Sequence, residues 1–137
     1  MTPQDMASTH AAAFQQARPW SADEFAHLLA NRFTHYIGTP QCFAVFQVIA
    51  DEAELLTLAT HPSQQRQGLA SLCMKNWQDR AVELGATRAF LEVAADNHPA
   101  LNLYLGCAYQ RCGVRNGYYT RENAENADAI VMERTLP

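Results

Sequence analysis

A change of period across one short turn constrains this chain more than any other feature. Glu54 to Thr60 is a compact apolar run with strand character. From Leu69 onward, Leu69, Leu72, Cys73, Trp77, Ala81 and Leu84 mark one face of a helix that Gly85 can terminate. Between them lies His61-Pro62-Ser63-Gln64-Gln65-Arg66-Gln67-Gly68, polar and punctuated by proline and glycine. A strand feeding a long helix through such a turn needs a sheet to join and a second layer for the helix to cover. With 137 residues, 48% of them hydrophobic, residues 1–137 are expected to form one domain around one core.

The rest of the chain supplies the partners. Asp5 to Phe14 reads as a helix, and Ser21-Ala22-Asp23-Glu24 has the capping-box spacing that starts a second one, over Ala22 to Asn31. Cys42 to Ile49 pairs naturally with Glu54 to Thr60 as an antiparallel hairpin across Ala50-Asp51-Glu52-Ala53. Thr87 to Ala94 returns to strand character, Pro99 to Leu105 suits a short helix with proline in its first turn, and Ala127 to Glu133 suits a closing strand. Asn116-Gly117 and Arg121 to Asn126 carry turn and loop chemistry. The expected fold is α/β (or α+β), with helices around one mixed sheet whose strand order periodicity does not fix.

Several classes drop out. No stretch approaches the roughly 20 apolar residues of a membrane span, and Gln4 and Asp5 interrupt any signal peptide, so a cytoplasmic protein is expected, with no membrane partner. A formal net charge of −4 argues against nucleic-acid binding and suits a cationic substrate. Cys42, Cys73, Cys107 and Cys112 lack zinc-site spacing, so they are read as reduced packing residues and no metal is expected.

The turn itself suggests an anion site. Small residues at Gly68 and Ala70 let a phosphate approach the backbone, and the helix start offers unpaired amides and the positive end of its dipole. By glycine content alone, an ordinary polar turn is the better reading. However, Gln65-x-x-Gly68-x-Ala70 resembles the Q/R-x-x-G-x-G/A signature of the GNAT acetyltransferase superfamily, between the element types that superfamily requires. Asn97 with Leu103-Tyr104 and Ala108-Tyr109 is similar to its N-x-x-A-x-x-LY-x-x-x-GF segment. Within the superfamily, the chain resembles the RimI-type ribosomal-protein-alanine acetyltransferases. The shared features are His10-x-x-x-Phe14, Pro19-Trp20-Ser21, Asp51-Glu52-Ala53, Gln65-Arg66-Gln67-Gly68-Leu69, Leu91-Glu92-Val93, Arg115-x-x-Tyr118-Tyr119 and Asp128-Ala129-Ile130-x-Met132.

The resemblance implies a GNAT-type central mixed sheet flanked by helices, with the first strand of the family shortened or absent here. It implies acetyl-CoA as acetyl donor, held by Leu58, Ala59 and Thr60 of the strand, by Arg66, Gln67, Gly68, Leu69, Ala70 and Ser71 of the turn, and by Asn97. It assigns Glu92 as the base and Tyr104 as the acid that protonates the departing thiolate. Read without it, Glu92 is a solvated residue on a strand face and Tyr104 an aromatic on a short helix. Trp20, Tyr118 and Tyr119 could line a peptide groove or simply pack. His10 and His61 lack a sequence-adjacent acidic orienter and are poor candidates for the base. Ala70 stands for the commoner glycine, and Ala108-Tyr109 for Gly-Phe, so that turn must avoid φ > 0 or accept strain.

The implied substrate is the N-terminal alanine of a ribosomal protein. An α-amine, with a reference pKa near 7.7 to 8.0 against about 10.4 for lysine, is the easier amine to deprotonate, by roughly 3 to 4 kcal/mol. The alternatives are a small-molecule amine, a different protein terminus, or a catalytically silent acyl-CoA-binding module.

Overall fold

The computed structural model describes residues 1–14, 18–65, 67–120 and 125–137. Helix α1 (Pro3–Ala13) starts two residues before the expected Asp5, because Thr2 and Asp5 form a capping box. The Thr2 hydroxyl accepts the Asp5 amide at 3.1 Å and the Asp5 carboxylate accepts the Thr2 amide at 2.9 Å. In α2 (Ala22–Ala30) the expected Ser21/Glu24 box is present, both bonds at 3.2 Å. The Arg18 guanidinium also grips Glu24, at 2.6 and 2.9 Å, and that hydrogen bond first holds its carboxyl down to about 2.

The strands are β1 (Thr34–Thr39), β2 (Cys42–Ile49), β3 (Glu52–Thr60), β4 (Arg88–Ala94), β5 (Gln110–Tyr119) and β6 (Ala127–Thr135). Among the described residues they form one mixed sheet in the order β1-β2-β3-β4-β6-β5, in which only β3 and β4 run parallel. Helices α3 (Leu69–Glu83) and α4 (His98–Gly106) complete the fold. No strand precedes α1 among the described residues. β1 is unexpected, and β5 runs through Asn116-Gly117 where a chain reversal was expected. There Gly117 takes φ +61 at an irregularity in the β5–β6 register, so the turn-forming pair makes a bulge inside an exposed edge strand. Arg121 to Ala124 of the second expected loop lie outside the described residues.

Each face of the sheet has its own core. On one, Cys73, Met74, Trp77 and Ala81 of α3 and Leu101 and Tyr104 of α4 cover Phe46, Leu55, Leu91, Val93 and Met132. Trp77, fully buried, lies 5.4 Å from the Phe46 ring and donates its indole N–H to the Met74 sulfur at 3.2 Å. Each such side chain contributes about 1.5–3 kcal/mol by leaving water. On the other face, Met6 of α1 and Phe25 of α2 pack on Phe43, Val45 and Ala59. Cys42 and Cys73 are buried as expected, whereas Cys107 is half-buried and Cys112 is exposed on β5. No described helix is long and apolar enough to cross a membrane.

Candidate active site

The site begins with one surplus residue. Val45 of β2 pairs with Thr57 and Phe46 with Leu55, which leaves Leu56 without a partner as a β-bulge in β3. A bulge bends its strand, and β3 pairs with β4 only from Glu52–Arg88 to Leu55–Leu91. Beyond Leu55 the two parallel strands part. Leu55 belongs to the core under α3 while Ala59 belongs to the core under α1 and α2, so the bulge also exchanges the two faces of the strand.

The opening is a cleft of about 560 Å³ that passes through the sheet. Its walls include Leu58, Val93, Asn97 and Tyr104 toward α3 and α4, and His10, Trp20, Glu92 and Tyr119 toward α1 and α2. Backbone groups line it too. The His61 amide donates to the Gln41 carbonyl at 2.7 Å, and in an antiparallel ladder this fixes which residues pair inward. Ala59 therefore turns its backbone to β2, whereas Leu58 and Thr60 turn theirs toward the gap. The Thr60 carbonyl accepts the Gln65 side-chain amide at 3.4 Å.

At the far end of the turn, Gly68 takes φ +76 as the N-cap residue of α3 and supplies no side-chain cap. The first amides of the helix are thus open to an anion. A Cβ at Gly68 would meet nothing within 4 Å. Gln67 and Gly68 are exposed; Leu69, Ala70 and Ser71 form the first turn of α3. These five lie outside the walls of the cleft, which takes Pro62 and Gln65 from the described residues of this segment. Arg66 lies outside the described residues.

Tyr104 is buried in α4, its ring edge-on to Tyr109 at 6.2 Å, and its hydroxyl makes no hydrogen bond among the described residues. Burial pushes this phenol well above its ordinary range, so it holds its proton. Asn97 caps α4 by accepting the Ala100 amide at 3.3 Å. After α4, Ala108 takes φ +69: the turn keeps its left-handed residue and accepts the strain, about 1 kcal/mol for a non-glycine. Tyr109 then fills the core and donates its hydroxyl to Gln78 at 2.7 Å.

Glu92 projects from the opposite face of β4, its side chain 17% exposed, and accepts the Arg115 Nε at 2.9 Å. Trp20 and Tyr119 line the cleft; Tyr118 is exposed outside it, edge-on to Tyr119, with the Arg115 guanidinium 5.3 Å from its ring. His10 is buried between Phe14, Trp20 and Phe25, and its Nδ1 accepts the Trp20 amide at 3.1 Å. Burial holds its imidazole down to about 4, so it is neutral and its lone pair is committed. The His61 Nδ1 is likewise committed to the Ser63 amide and hydroxyl.

Sequence reasoning missed Arg115 as a site residue, because arginine on an exposed strand carries no signal of what it reaches. It also missed Pro62 and Gln65 as walls. Among the described residues no cluster of His, Cys, Asp or Glu is placed to hold a metal ion.

A strand pair parted by a bulge, beside a helix that opens on uncapped amides, defines an acyl-CoA-using transferase architecture, and residues 3–109 match the acetyltransferase (GNAT) family. The chain belongs to that family and is an acetyl-CoA-dependent N-acetyltransferase. Among its relatives, it is 32% identical over 130 residues to the ribosomal protein bS18-alanine N-acetyltransferase of Escherichia coli strain K12, covering 92% of this chain and 87% of that one. The corresponding Salmonella typhimurium protein is 32% identical over 120 residues, covering 85% and 80%. The crystal structure of the Escherichia coli ribosomal-protein-S18-alanine N-acetyltransferase superposes with a TM-score of 0.87 at 27% identity, over 98% of this chain and 87% of that one. Ard1 from Thermoplasma volcanium shares the fold, with a TM-score of 0.83 at 20% identity, over 100% and 95%.

Proposed function

We propose that this enzyme acetylates the N-terminal alanine of a ribosomal protein, with Glu92 as base and Tyr104 as acid. The observation that carries the reading is the cleft through the sheet, which places a carboxylate on one side and a buried, protonated phenol on the other. Acetyl-CoA, when bound, supplies the activated acetyl group. The donor set fits it: the open amides of Gly68 to Ser71 suit a pyrophosphate, and the cleft-facing groups of Leu58 and Thr60 suit amide pairing along an extended arm. Gln67 immediately precedes those amides in the chain, and Asn97 stands at the cleft wall.

On the other side, Trp20 and Tyr119 flank the approach of the substrate terminus, with Tyr118 just outside it. Glu92 draws a proton from the incoming ammonium, directly or through water, so that the neutral amine attacks. Amide groups at Leu58 steady the negative charge that develops on the carbonyl oxygen. As the carbon–sulfur bond breaks, Tyr104 donates its proton to the sulfur that leaves and recovers one, through water, from the nitrogen that becomes the amide. A partner that is a protein N-terminus accords with the names of the relatives and with the lower pKa of an α-amine.

The test is mass spectrometry of peptides that differ only in the first residue, after incubation with enzyme and acetyl-CoA. Acetylation of alanine-starting peptides, and not of polyamines, is expected. Polyamine acetylation alone would reassign the substrate to small amines, and cofactor binding without thiol release on any amine would indicate a silent binding module.

A further inference from the structure

The face of the sheet that carries Glu92 holds two rows of charge. In the first, Arg88 bridges Glu52 at 2.7 Å and Glu133, so one arginine serves two carboxylates. In the second, Arg115 pairs with Glu92 at 2.9 Å. A further carboxylate stands beside that pair. Leu55 and Leu91 are register partners and both belong to the core under α3. Alternation therefore turns Glu54 and Glu92, the residues on either side of them, to the opposite face as diagonal neighbours on adjacent strands.

Glu54 is half-buried and has no hydrogen bond or ion pair among the described residues. A carboxylate partly withdrawn from water with no direct hydrogen bond is costly to the fold. Arg115 holds Glu92 in place, but a guanidinium in contact also makes a carboxylate a poorer proton acceptor. A second negative charge nearby has the opposite effect. Electrostatic interaction among the three is evident at Glu54, whose carboxyl is raised by burial first and by Glu92 second, and lowered by Arg115.

We propose that Glu54 is a positioning residue for acetyl transfer: its charge offsets Arg115, so that Glu92 stays fixed by the ion pair and still accepts a proton. The inference rests on the assignment of Glu92 as base. Glu54 touches neither substrate nor cofactor and acts only through its neighbours.

The test is a set of variants assayed on an alanine-starting peptide, or on whichever amine the wild-type enzyme accepts, with the acetyl-CoA dissociation constant measured alongside. Glu54→Gln keeps size and removes charge. It is expected to lower kcat/KM about three- to tenfold, with the loss in kcat and with cofactor affinity unchanged. Glu54→Asp should recover most of it. The Glu54 charge acts on Glu92 directly and adds to that of Arg115, so in an Arg115→Gln background Glu54→Gln should lower the rate by a similar factor. In a Glu92→Gln background Glu54→Gln should cost nothing, a non-additivity that reports direct coupling. Full activity of Glu54→Gln alone, or an equal loss in all three backgrounds, would overturn the proposal. A Glu92→Gln enzyme with normal turnover would instead remove Glu92 as base, and the two failures are thereby told apart.

Discussion

Replacing Tyr104 by phenylalanine should make this enzyme more stable and far less active at once. The hydroxyl is buried against α4 and the cleft without a hydrogen-bond partner among the described residues, while its ring packs on Tyr109. Mutational data put the penalty of a buried hydroxyl without a partner at about 1–3 kcal/mol. Tyr104→Phe keeps the ring and removes the penalised atom, so the free enzyme should gain about 1 kcal/mol, or about 3–4 °C in Tm for a chain of this size. Turnover should move the other way. A positioned general acid is worth about 10² to 10⁴-fold, equivalent to about 3–5 kcal/mol of barrier. The assay pairs single-turnover acetylation of an alanine-starting peptide with thermal unfolding and the acetyl-CoA dissociation constant. Equal single-turnover rates would refute the acid assignment. A variant that lost stability along with turnover would show that the hydroxyl has a structural partner, and a matched loss of cofactor affinity would show that it holds CoA.

Gly68→Ala pays the strain of φ +76 without adding charge, whereas Gly68→Glu adds a carboxylate at the open amides of α3; only the latter should lose acetyl-CoA affinity by calorimetry, by at least tenfold. Glu92→Gln should lower kcat by about 10² or more, and the residual rate should follow deprotonation of the substrate amine across pH 7–9; a normal rate and pH profile would reduce Glu92 to binding. His10, held down to about 4 from an ordinary value of 6.5, binds a proton more readily when unfolded. Its contribution to stability is complete above pH 6.5 and is lost as pH falls toward 4, by up to about 2–3 kcal/mol. Urea unfolding at pH 7.5 and 4.5 should show a drop that His10→Phe reduces by that amount; the same drop in both proteins would mean that His10 is charged in the fold.

The central strands were legible because they are mostly apolar: Cys42–Ile49 and Arg88–Ala94 stand almost where their composition puts them. The edge strands were not. Thr34–Thr39 holds only Tyr36 and Ile37 as large apolar residues, both at least partly exposed, and Gln110–Tyr119 carries two arginines and a turn-forming pair. An edge needs one paired neighbour and no apolar face, so its pairing leaves no periodic trace. In the site, Glu92 was visible as a carboxylate in an apolar run. Glu54 was hidden at the start of a strand, where acidic residues are commonplace. The parting of β3 from β4 left no mark either, because the bulged residue is a leucine between Leu55 and Thr57 and a strand with one residue too many reads like a longer strand.

That leucine makes the active site sensitive to a kind of genetic change that most of the surface tolerates. Deleting the single codon for Leu56 would remove no charge and no catalytic group. It would leave Thr57, Leu58 and Ala59 opposite Val45, Ala44 and Phe43 and on the faces they now occupy, but it would remove the bulge and let the strand continue alongside β4 where the cleft now opens. Substitutions can therefore drift through this strand one side chain at a time, while its length, counted in codons from Glu52 to Thr60, is fixed as tightly as any catalytic residue.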